Sequence, residues 1–306
     1  MLRSALLWAS TNPTLARRLP RYGFVKRATR RFMPGETADD AIREAQRLQA
    51  GGIRTTFTLL GENVETAAEA DAVADHYAGV LEQIRGLQLA AEISIKLTQL
   101  GLDQSVDGAR QRLERLAHAC EPGSLVWVDM ESSRYVDVTL ELFRATRVNV
   151  ENVGLCLQAY LYRTEQDLER LAELRPAIRL VKGAYKEPAE LAFARKADVD
   201  HNFVHLTEKL LRARVEGGGR PVIATHDPKM IVEGQRVAAE INLAAQDYEI
   251  SMLYGIQSEA QQRLAREQQA VRTLIAYGSA WFPWYMRRLA ERPANLWFVA
   301  KQMFAR

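Results

Sequence analysis

Residues 153–184, VGLCLQAYLYRTEQDLERLAELRPAIRLVKGA, contain one complete strand–helix–strand unit. VGLCLQA, from Val153, and IRLVKGA, from Ile178, are short apolar runs of the length that buried strands have. Between them, RTEQDLERLAELRP carries apolar residues at three- and four-residue spacing and ends on a proline, which is typical of an amphipathic helix. The order of these elements predicts a parallel βαβ unit.

The same alternation of strand and helix recurs along the chain. Six further strand candidates are RTTFTLL from Arg54, EISIKL from Glu92, LVWVDM from Leu125, PVIATHD from Pro221, YEISML from Tyr248 and AVRTLI from Ala270. No Pro-, Ser- or Gly-rich linker divides the series. The class is therefore α/β, and eight such units predict a (βα)8 TIM-like barrel, with a doubly wound sheet as the alternative. We expect an N-terminal helical arm over residues 1–50, a barrel over residues 51–306, and an active site at the C-terminal ends of the strands.

The composition, with 47% hydrophobic and 26% charged residues, is that of a globular enzyme. No apolar run is long enough to span a bilayer, and no cleavable signal-peptide pattern is found. Cys120 and Cys156 cannot build a disulfide framework, so we expect a reducing, cytoplasmic environment. His201 and His205 have the spacing of a helical metal pair but lack a third ligand, so we interpret them as structural and expect no metal site.

The first 35 residues carry no acidic side chain but eight basic ones, namely Arg3, Arg17, Arg18, Arg21, Lys26, Arg27, Arg30 and Arg31. The whole chain has a net charge of only +3, so the remainder is acidic. A basic segment of this kind suits an anionic membrane surface, a transit peptide or a nucleic-acid arm. It is equally typical of a helix pair that packs on the body with its basic face in solvent. Among the binding functions we favour peripheral contact with a membrane through residues 1–31 over nucleic-acid binding.

Four successive strands carry a polar residue near the C-terminal end, on the parity opposite to their aliphatic side chains. These residues are Lys96, Asp129, Gln158 and Arg179. In a barrel this parity faces the interior, where an unpaired charge costs several kcal/mol. The pattern therefore indicates a functional site rather than four separate surface ion pairs.

Further polar groups follow strands five and six. Lys182 and Gly183 begin the turn KGAY, where the glycine would let the backbone approach a ligand closely, and Thr225 and His226 end strand six in ATHD. The late segment WYMRRLAERPAN, residues 284–295, adds a pair of arginines and a glutamate within helical reach. An Arg–Arg pair near a chain end is also typical of a solvated helix face.

The charge of this predicted site limits its chemistry. Lys96, Arg179, Lys182, Arg287 and Arg288 give five positive charges against two negative ones from Asp129 and Glu291. A net positive pocket suits a carboxylate, a phosphate or an anionic reduced cofactor. Two reactions remain open on these grounds, a Schiff-base aldolase that uses Lys96 or Lys182 and redox chemistry on a bound organic cofactor.

The chain resembles the flavin-dependent proline dehydrogenases in their short monofunctional bacterial form. The motifs that carry the resemblance are FMPGETADDAI, TLLGE, SIKLTQLG, WVDMES, LQAYLYRT, RLVKGAYKEP, ATHD and YMRRLAERPAN, which extend over nearly the full length. The resemblance implies a distorted (βα)8 barrel with noncovalent FAD at the strand C-termini. It also implies oxidation of L-proline to Δ1-pyrroline-5-carboxylate, with electrons passed to a quinone at the membrane.

Roles for individual residues follow from the same resemblance. Arg287, Arg288 and Lys96 would bind the substrate carboxylate, Glu291 would orient the arginines, and Tyr185 would pack beside the substrate. Asp129 would pair with Lys96, and Arg179 would lie against the flavin and stabilise its negative charge. The implied cofactor contacts are Met130, Gln158, Arg179, Lys182, Gly183, Ala184, Thr225 and His226.

Two positions depart from the family pattern. Many members carry tyrosines where this chain has Trp284 and, on strand eight, Leu274. A tyrosine lost from the pocket wall would relax the choice between proline and 4-hydroxyproline. The hydroxyproline substrate therefore stays an alternative.

Overall fold

A computed structural model of the chain describes residues 12, 29–61 and 64–291, with the side chains of residues 287–291 excepted. Within these residues eight parallel strands close into a barrel in chain order, each hydrogen-bonded to the next and β8 to β1. The strands are β1 Arg54–Leu59, β2 Ala91–Ile95, β3 Val126–Val128, β4 Val153–Gln158, β5 Ala177–Val181, β6 Pro221–Ala224, β7 Glu249–Leu253 and β8 Ala270–Tyr277. Every predicted strand is present, and the closed order confirms the barrel over the doubly wound sheet.

A helix precedes the first strand and one follows each strand in the described part of the chain. They are α1 Ala38–Ala50, α2 Ala67–Gly86, α3 Val106–Ala119, α4 Val136–Arg147, α5 Thr164–Leu171, α6 Lys196–Val215, α7 Pro228–Glu240, α8 Ser258–Arg266 and α9 Trp281–Glu291. Local sequence determines several starts. Thr37 with Asp40 and Thr66 with Glu69 form capping boxes at α1 and α2, and Asp227 with Pro228 begins α7.

The strands have two faces, as their parity predicts. Ile93, Ile95, Val126, Val128 and Leu155 are fully buried and belong to one apolar core with residues of the surrounding helices. The polar parity faces the interior of the barrel. The clearest evidence is the hydrogen bond of 2.9 Å from Arg179 on β5 to Ser94 on β2, because these strands are not neighbours and the bond must cross the interior.

A buried ionic layer fills the lower, N-terminal half of the barrel. Arg272 Nε donates to Glu249 at 2.6 Å and the Arg272 guanidinium lies 3.2 Å from Glu92, while Arg220 donates to Glu92 at 2.7 Å. Burial would raise the pKa of Glu249, but Arg272, Arg220 and Arg54 outweigh it and lower that pKa to about 2. Because each carboxylate bonds to more than one guanidinium, the layer satisfies charges that would otherwise be costly to bury.

Trp127 fills the barrel above this layer. The indole is fully buried, and its Nε1 donates to Glu92 Oε2 at 2.6 Å. The ring occupies space that Gly154 on β4 leaves open, since a Cβ at that position would lie 2.7 Å from Trp127 Cε3. The size of one side chain on β3 thus requires glycine on its neighbour.

The segment before the barrel packs against the last described helix. Glu36 accepts a hydrogen bond of 3.1 Å from Trp281 Nε1, and the rings of Phe32 and Tyr285 lie 6.0 Å apart. Helix α1 buries four residues that belong to the barrel core. This part of the predicted arm therefore packs on the barrel, while residues 1–11 and 13–28 lie outside the described residues.

Among the described helices, none combines the length and the apolar content that crossing a membrane requires.

The contact between Gly154 and Trp127 leads to a stability prediction. Gly154→Ala would force the Trp127 ring or the β4 backbone to move, so we expect a loss of about 1–3 kcal/mol in the free energy of unfolding. Urea denaturation measures this value. Gly79→Ala is the matched control, because Gly79 lies in α2 and a Cβ there would have nothing within 4 Å, so alanine should stabilise the helix by up to about 1 kcal/mol. Equal effects of the two substitutions would contradict the packing argument.

Candidate active site

Asp129 is the centre of the polar cluster at the upper, C-terminal end of the barrel. Its Oδ2 accepts a hydrogen bond of 3.1 Å from Lys96 Nζ, and its Oδ1 accepts one of 2.9 Å from Ser94. Arg179 Nη2 also donates to Oδ1 and to the Ser94 hydroxyl. The predicted association of Lys96 with Asp129 is therefore observed, and Arg179 joins the same carboxylate.

The charges in this cluster alter one another's ionisation. Burial would raise the pKa of Asp129, but the positive charges of Lys96 and Arg179 outweigh burial and lower it. Burial would likewise lower the pKa of Lys96, yet Asp129 raises it well above its usual range. All three groups are consequently charged at neutral pH, and the cluster keeps a net positive charge beneath the cavity that it lines.

That cavity, of about 360 Å³, opens at the C-terminal ends of β3 to β8. It is lined by Asp129, Met130, Cys156, Gln158, Arg179, Val181, Lys182, Gly183, Ala184, Tyr185, Ala224, Thr225, His226, Ser251, Met252, Leu253 and Leu274. All eight residues that the family resemblance implies as cofactor contacts lie in this set. The structure thus brings residues from position 129 to position 274 together into one pocket wall.

Gln158 offers a polar atom to whatever occupies the cavity. Its side-chain amide donates to the carbonyl oxygens of Met130 and Glu131, each at 3.2 Å. Its Oε1 is buried and has no hydrogen-bond partner among the described residues. A buried acceptor of this kind costs free energy unless a ligand donor satisfies it.

Lys182 corrects the predicted charge of the site. Its Nζ donates to Asp200 at 2.5 Å and to Asp227 at 3.2 Å. The sequence-based count includes neither carboxylate, because Asp200 belongs to α6 and Asp227 to the turn before α7. The excess of positive charge is therefore smaller than the count predicts, and among the side chains that the structure describes here it belongs to the cluster of Lys96, Asp129 and Arg179.

Gly183 is required by the protein's own packing. Its φ of +111° disfavours any side chain, and a Cβ would lie 2.3 Å from the ring of Tyr160. Gly183 also lines the cavity, so the close approach of a ligand to its backbone stays a prediction. The sequence suggests only the approach of a ligand. The packing against Tyr160 requires glycine whether or not a ligand is bound.

Thr225 and His226 lie at the end of β6 and also contact the protein. Thr225 Oγ1 accepts from the Asp227 amide at 3.1 Å, and His226 Nε2 accepts from the Leu253 amide at 2.9 Å. Because Nε2 accepts a hydrogen bond, the neutral ring carries its proton on Nδ1. His226 therefore links the ends of β6 and β7 while it lines the cavity.

The remaining predicted residues lie around the cavity or on α9. Tyr185, 41% exposed, and Leu274 are in the cavity wall. Trp284 is half-buried on α9 and is not part of that wall. Arg287, Arg288 and Glu291 lie on α9, but their side chains fall outside the described residues. His201 and His205 lie on α6, where His205 pairs with Glu165 at 2.9 Å, and the described residues contain no group of side chains suited to a metal ion.

Sequence reasoning misses Glu187, which holds the loop that follows β5. Glu187 accepts from the Ser133 amide at 2.8 Å and from the Tyr160 hydroxyl at 3.4 Å. The same loop pairs with the chain after β4 through bonds from Tyr160 N to Lys182 O and from Phe193 N to Tyr160 O. The position of Tyr185 at the cavity therefore depends on a glutamate two residues further along.

Ser94, in the polar cluster, and Cys156, in the cavity wall, are also missed. Both share the interior parity of Lys96 and Gln158, and that parity is the signal that could have found them. A wider groove of about 700 Å³ adjoins the cavity at His226 and Met252 and continues between α7 and α8. The groove and the cavity thus share two wall residues.

An eight-stranded barrel with a positively charged cavity at its C-terminal end is an enzyme architecture. The sequence profile of the proline dehydrogenase family matches residues 41–301. Proline dehydrogenase 1 of Bacillus subtilis is 37% identical over 302 residues, which is 98% of each chain. The proline dehydrogenase of Deinococcus radiodurans is 38% identical over 279 residues, or 89% of each chain. The chain belongs to the proline dehydrogenase family.

Solved structures agree with this assignment. Proline utilization A (PutA) of Bdellovibrio bacteriovorus, crystallised after inactivation by N-propargylglycine, superposes with a TM-score of 0.83 at 23% identity, which shows the fold alone. A PutA mutant of Bradyrhizobium japonicum gives a TM-score of 0.74 at 27% identity. The superposed regions are 38% and 34% of those longer chains, so the resemblance is to one part of PutA.

The role of Glu187 can be tested without any ligand. Glu187→Ala removes the acceptor of two or more hydrogen bonds, each worth about 1 kcal/mol, so the loop should open more often. We expect the backbone amides of Tyr160 and Phe193 to exchange with deuterium at least about tenfold faster, measured by mass spectrometry or NMR. Glu190→Ala, at an exposed position of the same loop, is the control and should leave both rates unchanged. Protection equal to that of the unmodified protein would show that Glu187 does not hold the loop.

Proposed function

We propose that this protein is an FAD-dependent dehydrogenase that oxidises L-proline to Δ1-pyrroline-5-carboxylate and passes the electrons to a quinone. This reaction is the first step of proline catabolism. The single observation that carries the proposal is the fixed guanidinium of Arg179, which lines a cavity formed largely by residues of the family motifs. Membership of the family supports the same conclusion.

The residues of the cavity fit an isoalloxazine ring. The buried Oε1 of Gln158 can accept from a ring N–H, and Arg179 provides positive charge beside it. The groove between α7 and α8, which shares His226 and Met252 with the cavity wall, would hold the rest of the dinucleotide. Met130, Lys182, Gly183, Ala184, Thr225 and His226 would complete the contacts to FAD.

Bound FAD would supply a hydride acceptor for the carbon next to the proline nitrogen. When proline binds as the free amine no strong base is required, so the protein residues need only hold and orient the substrate and neutralise its carboxylate. Arg179 stays charged because Asp129 raises its pKa against the effect of burial, and it can stabilise negative charge in the cavity. Its hydrogen bonds to Ser94 and Asp129 fix that charge in advance, so little reorganisation is needed during the reaction.

The state of Lys96 disfavours the aldolase alternative. A Schiff-base lysine must lose its proton to act as a nucleophile. The pKa of Lys96 is instead raised by Asp129, and Lys182 is paired with two carboxylates. A protonated Lys96 is suited to attract the carboxylate of an amino acid.

The substrate-binding residues on α9 complete the proposal. Arg287 and Arg288, which we call the arginine pair, would bind the proline carboxylate together with Lys96, and Glu291 would orient one of them. Positions one apart on a helix differ by about 100° in direction, so the two guanidiniums can approach a carboxylate from different sides. Tyr185, Leu274 and Trp284 would surround the substrate ring.

We also propose a cytoplasmic protein with peripheral contact at the inner face of an anionic membrane. The basis is the row of basic residues within residues 1–31. Electrons destined for a membrane quinone would then leave the enzyme close to their acceptor. No role in nucleic-acid binding is proposed.

A visible spectrum tests the proposal and its nearest alternative. The purified protein should be yellow, and the absorption band of its oxidised flavin should bleach on anaerobic addition of L-proline. Trans-4-hydroxy-L-proline in the same assay tests the alternative substrate, because Leu274 and Trp284 depart from the family's tyrosines. A colourless protein that cannot be loaded with FAD would refute the proposal, and faster bleaching by hydroxyproline would favour the alternative.

The arginine pair gives a kinetic prediction. Arg288→Ala should raise the KM for proline at least tenfold, or about 1.4 kcal/mol of lost binding, while FAD stays bound. Steady-state kinetics with a dye acceptor and the flavin spectrum measure both quantities. Arg212→Ala, on the exposed face of α6, removes a surface ion pair with Glu208 and should change neither. An unaltered KM in Arg288→Ala would place this arginine on the solvated surface of α9.

A further inference from the structure

Trp127 lies directly against the arginine that faces the cavity. The guanidinium carbon of Arg179 is 5.1 Å from the centroid of the indole ring, within the range of a cation–π interaction. Both side chains are almost completely buried, at 0% and 4% exposure. Burial strengthens an interaction of this kind, because no water competes for the cation. Trp127 is thus a further partner of Arg179, beside Asp129, Ser94 and Cys156.

The indole is itself fixed from below. Its Nε1 donates to Glu92 at 2.6 Å, and the guanidinium carbon of Arg220 lies over the ring at 5.3 Å. Glu92 in turn is bound by Arg220 at 2.7 Å and by Arg272 at 3.2 Å. The plane of the ring is therefore set by the ionic layer in the lower half of the barrel.

The neighbouring strands leave the ring no alternative place. Gly154 accommodates it on β4, and Ala177 and Val222 pack with it in a small apolar cluster inside the barrel. A side chain with one hydrogen bond and close packing on its surroundings has little rotational freedom. The position of the ring thus limits the positions that the Arg179 guanidinium can adopt.

We propose that Trp127 is a positioning residue that holds the Arg179 guanidinium toward the cavity and so sets how strongly the site favours a reduced, negatively charged cofactor. The inference rests on the proposed function for the identity of that cofactor. Trp127 itself does not line the cavity, so it acts through Arg179 alone. The lower ionic layer, through Glu92, contributes to the same positioning.

The two-electron midpoint potential of bound FAD tests the proposal. It is measured by anaerobic titration with dithionite and an indicator dye, which requires bound FAD but no proline. In Trp127→Leu we expect the preference for reduced FAD to fall at least tenfold, a shift of about 30 mV to lower potential. Trp127→Phe keeps the aromatic face and loses the bond to Glu92. Its midpoint potential should therefore stay close to that of the unmodified protein.

A double-mutant cycle separates positioning from general damage. Arg179→Met should lower the potential by itself, and adding Trp127→Leu should lower it no further if Trp127 acts through the guanidinium. Phe143→Leu is the control for the loss of a buried aromatic ring, because Phe143 is fully buried on α4 and does not line the cavity. It should leave the potential unchanged. If Trp127→Leu does not fold, Trp127→Met, whose unbranched side chain adapts better to an irregular space, is subject to the same comparison.

Each outcome of these experiments is decisive. A potential in Trp127→Leu equal to that of the unmodified protein would overturn the inference, and so would additive shifts in the double variant. Failure of the unmodified protein to bind FAD would instead refute the proposed function. If the protein binds FAD with a normal potential but proline does not bleach it, the proposed substrate is refuted. The titration still tests the role of Trp127, because it needs no proline.

Discussion

The carboxylate of Asp129 is the interaction on which the upper half of the barrel depends. It bonds to Lys96 from the end of β2, to Arg179 from β5 and to Ser94, and so connects strands that do not touch one another. Two cations that face each other inside a barrel would repel in a medium of low dielectric constant. The shared carboxylate makes their proximity stable and leaves one positive charge in excess at the cavity.

A second set of charges lies below, separated from the first by the indole of Trp127. There the carboxylates of Glu92 and Glu249 bind Arg272 and Arg220. Arg179 and Arg220 both contact the same ring, so the two ionic layers meet at one aromatic side chain. The interior of this barrel is therefore mostly ionic near both ends, with a packed apolar cluster between them.

The fold and much of the cavity could be predicted because both follow from local periodicity. Alternation along EISIKL and LVWVDM separates the side chains that pack against the helices from those that face the inside of the barrel. The C-terminal ends of parallel strands must also meet at one edge. The lower ionic layer gives no such signal. Arg220 and Glu92 lie 128 positions apart, and nothing local pairs them.

The errors have the same origin. A count along the sequence leaves Lys182 uncompensated because Asp200 and Asp227 belong to other elements, and the ring that needs Gly183 belongs to Tyr160, on the preceding βα loop. Glu187 lies within the recognised motif RLVKGAYKEP, yet its importance depends on Ser133 across the barrel rim. Sequence patterns identify which strand end is polar, but not which partner each polar group finds.

The packing of the segment before the barrel on α9 bears on how the protein can be shortened. Counted by strands, the barrel begins just after Gly51, and a fragment starting there would retain all eight. It would nevertheless lack Phe32 and Glu36, which contact Tyr285 and Trp281 at the start of the helix that bears Arg287 and Arg288. A fragment that preserves these contacts is therefore longer than the barrel, because α9 rests on residues that precede the first strand.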